Sequence, residues 1–140
     1  MIAIDSSVIV AALAKWHSEH GRAQRALERA LEGRDGVVIP GHALVESFSV
    51  LTRMPAPYRA GAGDVLQSLR QTFEASRVVA LNARSIWPVL ERVVSLGLSG
   101  GIVYDALILE SATDAGATEL LTLNARDYDR LEPRLHVVGV

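Results

Sequence analysis

The chain reads as an α/β protein: three layers, helices over both faces of a mostly parallel sheet of four to five strands. Three observations predict this. Short runs rich in Val, Ile and Leu alternate with longer stretches of helical period. The strand-like runs are apolar almost throughout, as in parallel sheets covered on both faces. Finally, the 140 residues contain no internal repeat, low-complexity tract or linker, which predicts one domain with a real core.

The elements follow in order. Ala3-Ile4 and neighbours form a buried strand ending near Asp5. A helix around Ser7–Leu13 comes next, then a longer one from about His17 to Leu31. In that helix Ala23, Ala26, Leu27, Ala30 and Leu31 mark one face, while Arg22, Arg25, Glu28, Arg29 and Glu32 cover the other. Gly33 and Gly36 close it. Val37-Val38-Ile39 is a second strand, and Pro40-Gly41 opens a helix expected to carry Leu44, Val45, Phe48 and Leu51 inward. MPAPYRAGAG is punctuation. A helix from about Asp64 to Ala75 precedes a strand at Val78–Leu81. Another helix runs from about Ser85 to Leu96, with Pro88 tolerable in its first turn. After the loop LGLSGG, Ser99 is the expected N-cap of a helix from Ile102 to Ala115. Glu119–Thr122 reads as a strand, Arg126–Leu131 as a helical turn and Leu135–Val138 as a last strand.

Composition narrows the function. There are no cysteines, so disulfides, thiolate zinc sites and thiol catalysis are excluded, and a cytoplasmic location is expected. No apolar run is long enough to span a bilayer, so no membrane role is expected. MIAIDSSVIVAALAKW lacks the basic start of a signal peptide and carries Asp5 in its place. Fourteen basic residues against sixteen acidic ones argue against binding long duplex DNA by bulk charge. Two Trp, three Tyr and two Phe are too few for an extended base-stacking platform.

Four acids stand out because their surroundings are apolar: Asp5 in MIAIDSSVIV, Glu46 in GHALVESFSVLTR, Asp105 in GIVYDALILES and Asp127 in LLTLNARDY. A carboxylate taken out of water costs several kcal/mol or more, as an order of magnitude, unless something positive compensates it. Few cations lie near these positions in the sequence. In open parallel folds, sites form beyond the carboxyl ends of the strands. Asp5 and Asp127 follow strands directly and Glu46 lies early in the helix after the second. Asp105 joins them if its helix packs across the same end. Such an oxygen-rich set suits Mg²⁺ or Mn²⁺, which take a few carboxylates plus water and substrate phosphate. The histidines (His17, His20, His42, His136) are scattered. His17 and His20 alone share a helical spacing, and they read as a solvated first turn rather than a zinc pair.

Four segments in sequence, namely an apolar strand ending in Asp-Ser-Ser, a mid-helix Glu followed by VLTRMP, a helical YDALI and a late LLTLNARDY, resemble the PIN-domain ribonucleases. The chain looks most like their VapC toxin branch, over essentially its whole length. The resemblance implies a PIN-like fold and a metal-dependent endoribonuclease that acts as the toxin of a type II toxin–antitoxin pair. It implies that Asp5, Glu46 and Asp105 ligate Mg²⁺ or Mn²⁺ and that Asp127 completes the cluster. Ser7, ahead of Ser6, would be the hydroxyl bonded within the site. Many relatives carry a further acid where this chain has Asn124, which leaves Asn124 and Asp127 as alternatives for the fourth position. RNA is the implied substrate, a VapB-like antitoxin the implied partner, and a homodimer the implied assembly.

Plainer readings stand beside this one. Asp5 could cap the following helix, Glu46 could pair with Arg53, and Asp127 could belong to a turn. Glu110, Asp114 and Asp129 read as solvated. Trp16 and Trp87 read as core or partner-facing anchors. Arg22, Arg25 and Arg29 form either a wet helix face or a hold on RNA. The rival class is a receiver-like regulatory module binding Mg²⁺ without catalysis. It wants paired acids after the first strand, a phosphoacceptor Asp after the third and a late Lys. Here Asp5 is followed by Ser6-Ser7, the third strand runs into Asn82, and the only lysine is Lys15. A nuclease acting on DNA flaps is a third option, disfavoured by the lack of a DNA-clamping insertion.

Overall fold

A computed structural model describes all 140 residues. Five strands form one sheet: β1 (Ile2–Ile4), β2 (Val37–Pro40), β3 (Arg77–Val79), β4 (Glu119–Thr122) and β5 (His136–Gly139). Every neighbouring pair is parallel, in the order β3-β2-β1-β4-β5. The helices are α1 (Ser6–Leu13), α2 (His20–Glu32), α3 (Gly41–Arg53), α4 (Ala62–Phe73), α5 (Ile86–Ser95), α6 (Ile102–Asp114) and α7 (Ala125–Asp129).

The chain winds one way from β1 to β3, then crosses back to β4 and β5. Right-handed crossovers therefore put α1–α4 on one face and α5–α7 on the other. The helix contacts agree, with α1 against α2 and α3 and α6 against α5 and α7. The winding reverses between β1 and β4, whose carboxyl ends open a crevice where such sheets bind ligands.

Strand burial explains the near-continuous apolar runs. Ala3, Ile4, Val38, Ile39 and Leu120 are fully buried, clamped between Val8, Ile9 and Ala11 of α1 and Ile108 and Ala112 of α6. In α1 five successive residues, Val8 to Ala12, are buried, because the helix is wedged between the sheet, α2 and α3. α2 is one-sided, burying Ala23, Ala26, Leu27 and Ala30 as its pattern predicts.

Several boundaries move, for physical reasons. α2 begins at His20 rather than near His17; the His20 imidazole Nδ1 meets the Ala11 carbonyl at 2.9 Å and ties its start to α1. β3 covers Arg77–Val79 rather than Val78–Leu81, because its partner β2 ends at Pro40, opposite Val79, and turns into α3. α4 starts and ends two residues earlier than expected, and β5 is shifted one residue later. Ser99 is not the cap of α6. Gly100 takes a left-handed conformation (φ 76°), and the helix starts after Gly101 with Val103 N–H bonded to the Gly100 carbonyl. Val45 does not point inward: α3 buries Ala43, Ser47 and Leu51, and Val45 is 68% exposed. Neither tryptophan is core, with Trp16 and Trp87 40% and 72% exposed. No helix is long and apolar enough to cross a membrane.

Candidate active site

Asp5 is the residue after β1 and the N-cap of α1, and it is 1% exposed. The capping contact is present but long, 3.4 Å from Ser7 N–H. Shorter bonds come from hydroxyls. Ser7 Oγ donates to Oδ2 at 2.5 Å, Thr122 Oγ1 donates to Oδ2 at 2.8 Å, and Tyr128 OH donates to Oδ1 at 2.8 Å. A hydroxyl has one proton and two lone pairs, so each of these donors must be oriented from its other side. Leu123 N–H donates to Ser7 Oγ at 3.0 Å, and Asn124 N–H donates to Thr122 Oγ1 at 2.9 Å. Both hydroxyl protons are then committed to Asp5, and the 3.3 Å approach of Ser7 Oγ to Thr122 Oγ1 is contact rather than a bond. This buried carboxylate is compensated by dipoles, with no arginine or lysine bonded to it.

The backbone at the ends of β1 and β4 builds this pocket. Asp5 N–H bonds the Leu121 carbonyl at 3.0 Å, locking the two strand ends together beside Thr122, which is fully buried. Tyr128 is also fully buried, in α7 right after β4. Burial pushes its phenol strongly upward, and the negative charges of Asp5 and Asp105 push the same way. Tyr128 therefore stays a protonated donor at any physiological pH.

The other acids gather round. Ser6 Oγ donates to Glu46 Oε2 at 2.8 Å and approaches Asp5 Oδ1 at 3.4 Å, so one hydroxyl bridges the two carboxylates. Glu46 is not paired with Arg53; the two ion pairs in the structure are Arg22–Glu19 and Arg130–Asp127. His42, one turn before Glu46, stacks on Tyr104, with centroids 5.2 Å apart and planes 9° from parallel. That contact pins α3 to the start of α6, where Asp105 lies in the first turn. The Asp105 carboxyl is raised from 3.8 to about 7, first by burial, then by the charges of Asp5, Asp127 and Glu46. Asp5, Glu46 and Asp127 thus all stand within electrostatic reach of Asp105. Arg130 lies 3.7 Å from Asp127, but both side chains are about half exposed and the pair offsets little of this repulsion.

The donor set is oxygen only, anionic and short of positive charge, which fits a hard divalent cation. Asp5, Glu46, Asp105 and Asp127 are the residues that could hold one. In this structure no three His, Cys, Asp or Glu side chains stand close enough together to hold a metal ion, so the four acids would have to draw in for one to bind. Of the two alternatives for the fourth acid, Asp127 adds negative potential at Asp105, whereas the exposed Asn124 makes no side-chain capping bond and contributes its backbone N–H. The histidine pair is structural: His17 Nδ1 accepts from Glu19 N–H and His20 binds Ala11. Arg22, Arg25 and Arg29 line a cleft of about 440 Å³ under α2, together with residues of β4 and β5.

Sequence reasoning named Ser7 and gave Ser6 second place; each has its own acid to hold. It missed Thr122 and Tyr128. A threonine closing an apolar strand and a tyrosine following an acid were the available signals.

The PIN-domain family model matches residues 2–132. The chain is 39% identical to Ribonuclease VapC40 of Mycobacterium tuberculosis over 141 aligned residues, covering 99% of each chain. It is 33% identical to Ribonuclease VapC27 of the same species, over 98% of this chain and 95% of that one. Solved structures share the fold at low identity. A chain of VapBC2 from Rickettsia felis, solved bound to a DNA fragment from its promoter, aligns over 100% of this chain and 99% of that one (TM-score 0.70, 17% identity). VapC20 of M. tuberculosis, described as a toxin that cleaves the sarcin–ricin loop, aligns over 86% and 87% (TM-score 0.67, 20% identity). With a family model spanning nearly the whole sequence and a full-length relative at 39% identity, the chain belongs to the PIN-domain family, in its VapC branch.

Proposed function

We propose that this protein is a divalent-metal-dependent endoribonuclease, the toxin of a type II toxin–antitoxin pair acting in the cytoplasm. The observation that carries the reading is the crowding of Asp105 by Asp5, Glu46 and Asp127, offset only by the half-exposed Arg130 beside Asp127. Relatives named as ribonucleases and neighbours solved as toxin–antitoxin complexes supply the class of reaction and the antitoxin partner.

When bound, Mg²⁺ or Mn²⁺ would supply a Lewis acid that offsets charge developing on the phosphodiester and makes water a better nucleophile. The chain's own residues do the positioning. Ser7, Thr122 and Tyr128 fix the Asp5 carboxylate, and Ser6 sets Glu46 against it. Asp105 of α6 and Asp127 of α7 would complete the set of acids around a bound ion. Asp105 near neutrality also has a proton to exchange, so occupation by a cation and loss of that proton are linked.

Two surfaces support the partners. A cleft between α3, α4 and β3, lined by Leu44, Phe48, Leu69 and Phe73, suits an apolar antitoxin segment. On α5, Ile86, Trp87, Leu90 and Val94 are exposed along the helix, which suits a second copy of the chain. The receiver-module reading gains nothing: β3 is followed by Ala80-Leu81-Asn82 with no acid, and Lys15 is exposed.

The test is incubation of the purified, partner-free chain with total RNA, with and without EDTA, mapping new 5′ ends. Cleavage that EDTA abolishes, and that Asp5→Asn and Asp105→Asn lack while remaining folded, is expected. Full activity of either variant in Mg²⁺ would overturn the assignment.

A further inference from the structure

Beside the acids lies a second feature. Ser7, bonded to Asp5, also lines a cleft of about 430 Å³ whose walls include Val10 and Val50 and whose polar groups come from His17, Glu19 and Asn124. We propose that this cleft is a nucleobase subsite adjoining the scissile phosphate, and that it takes guanine. The inference rests on the ribonuclease reading for its substrate, and on the cleft for its selectivity.

Position comes first. One hydroxyl separates the cleft from Asp5, so it lies within reach of the nucleotide next to one held at the acids. Charge then selects which part of that nucleotide enters. No lysine or arginine lines the cleft, and its one carboxylate is paired with Arg22 outside it. The cleft thus offers a phosphate no cation, while Glu19 can still accept from a base. A lining of Val10, Val50 and Leu123 among hydrogen-bonding side chains suits a heteroaromatic ring with a polar edge, and base edges are how single-stranded RNA is read.

Hydrogen-bond accounting selects the base. Glu19 N–H donates to His17 Nδ1 at 3.1 Å, which leaves Nε2–H as the donor of that ring. The Glu19 carboxylate is an acceptor, steadied by Arg22 Nη1 on Oε2 at 2.8 Å. Guanine alone presents two adjacent N–H donors to a carboxylate and a carbonyl acceptor beside them. Adenine would set a ring-nitrogen lone pair against Glu19, uracil flanks its one N–H with two carbonyls, and cytosine offers a single amino group. Asn124, with both donors and an acceptor, can complete either side.

A randomised pool of short oligoribonucleotides, cut by the purified chain in Mn²⁺ and mapped by 5′ ends, tests this. Wild type should favour cuts next to guanine by on the order of tenfold or more, and Glu19→Gln should flatten that preference while cleavage continues at other positions. Glu28→Gln, on the exposed face of the same helix, should leave it unchanged. An absence of base preference, or the same preference in Glu19→Gln, overturns the subsite and leaves the ribonuclease intact. Failure to cut any RNA instead overturns the ribonuclease reading. The subsite is then decided by amide shifts of the Asp105→Asn chain titrated with 5′-GMP and 5′-AMP. Shifts at Ser7, Glu19 and Asn124 selective for GMP support it, and equal or absent shifts overturn it.

Discussion

Asp5 and Asp105 sit in one site under opposite conditions. Asp5 is buried and fully answered: two hydroxyls on one oxygen, a buried phenol on the other, each hydroxyl oriented by a backbone N–H. Asp105 is half-buried, faces three other acids, and is pushed up to about 7 by burial and by their charge. One carboxylate is positioned by the fold; the other is left in need of a positive charge the fold does not provide. A site built to be neutral would satisfy both. On the proposed reading, the hydroxyl side sets geometry and the α6 side is where a cation would bind.

Substitutions that separate the two sides should behave differently. The largest effect expected is on RNA cleavage, where Asp5→Asn and Asp105→Asn should each lose more than about a hundredfold, since even outer partners of a metal ligand commonly cost 10–100-fold. Their stabilities should then diverge. Asn at position 5 turns an amide N–H₂ toward hydroxyls that donate, costing about 1–3 kcal/mol in denaturant unfolding. Asn at position 105 removes repulsion, and in EDTA at pH 8 should raise Tm by about 2–4 °C, a modest figure because the group is partly solvent-screened. Equal destabilisation by both would erase the distinction between the sides.

Next in size is Tyr128→Phe, which deletes one bond to a buried carboxylate and should cost about 1.5–3 kcal/mol. pH sharpens the contrast further. The Asp105 carboxyl titrates near 3.8 unfolded and about 7 folded, so between those values the folded chain holds the extra proton. Its contribution to stability is therefore full below about pH 4 and falls as pH rises toward 7. Wild-type Tm in EDTA should drop over that window more than that of Asp105→Asn. The smallest effect belongs to a region remote from the acids. Arg92 Nη2 donates to the Leu131 and Glu132 carbonyls at 2.7 and 2.8 Å, stapling α5 to the turn where Glu132 takes φ 49°. Arg92→Ala should cost about 1–2 kcal/mol and leave cleavage per folded molecule unchanged.

Which parts were legible in the sequence follows from the range of each interaction. The four acids could be seen because a charge inside an apolar run is a local contradiction, visible in MIAIDSSVIV or GIVYDALILES without knowledge of neighbours. The parallel sheet was legible from alternation and from strands apolar on both faces. The hydroxyl cage was not. Thr122 and Tyr128 lie 117 and 123 residues from Asp5, and a threonine or tyrosine at the end of an apolar segment contradicts nothing nearby. Strand β3 was misjudged in length because its end is set by Pro40 on the neighbouring strand, outside its own sequence. The start of α6 was misjudged because Gly100, in the left-handed region, redirects the chain after Ser99.

Mn²⁺ titrated calorimetrically into the chain at pH 8, beside the Asp105→Asn variant, bears most directly on whether the four acids share a dication. Saturable binding to the parent chain, weakened at least about tenfold in the variant, is expected. No binding by the parent, or equal affinity in the two, would mean that Asp105 is crowded by its neighbours for some reason other than a metal ion.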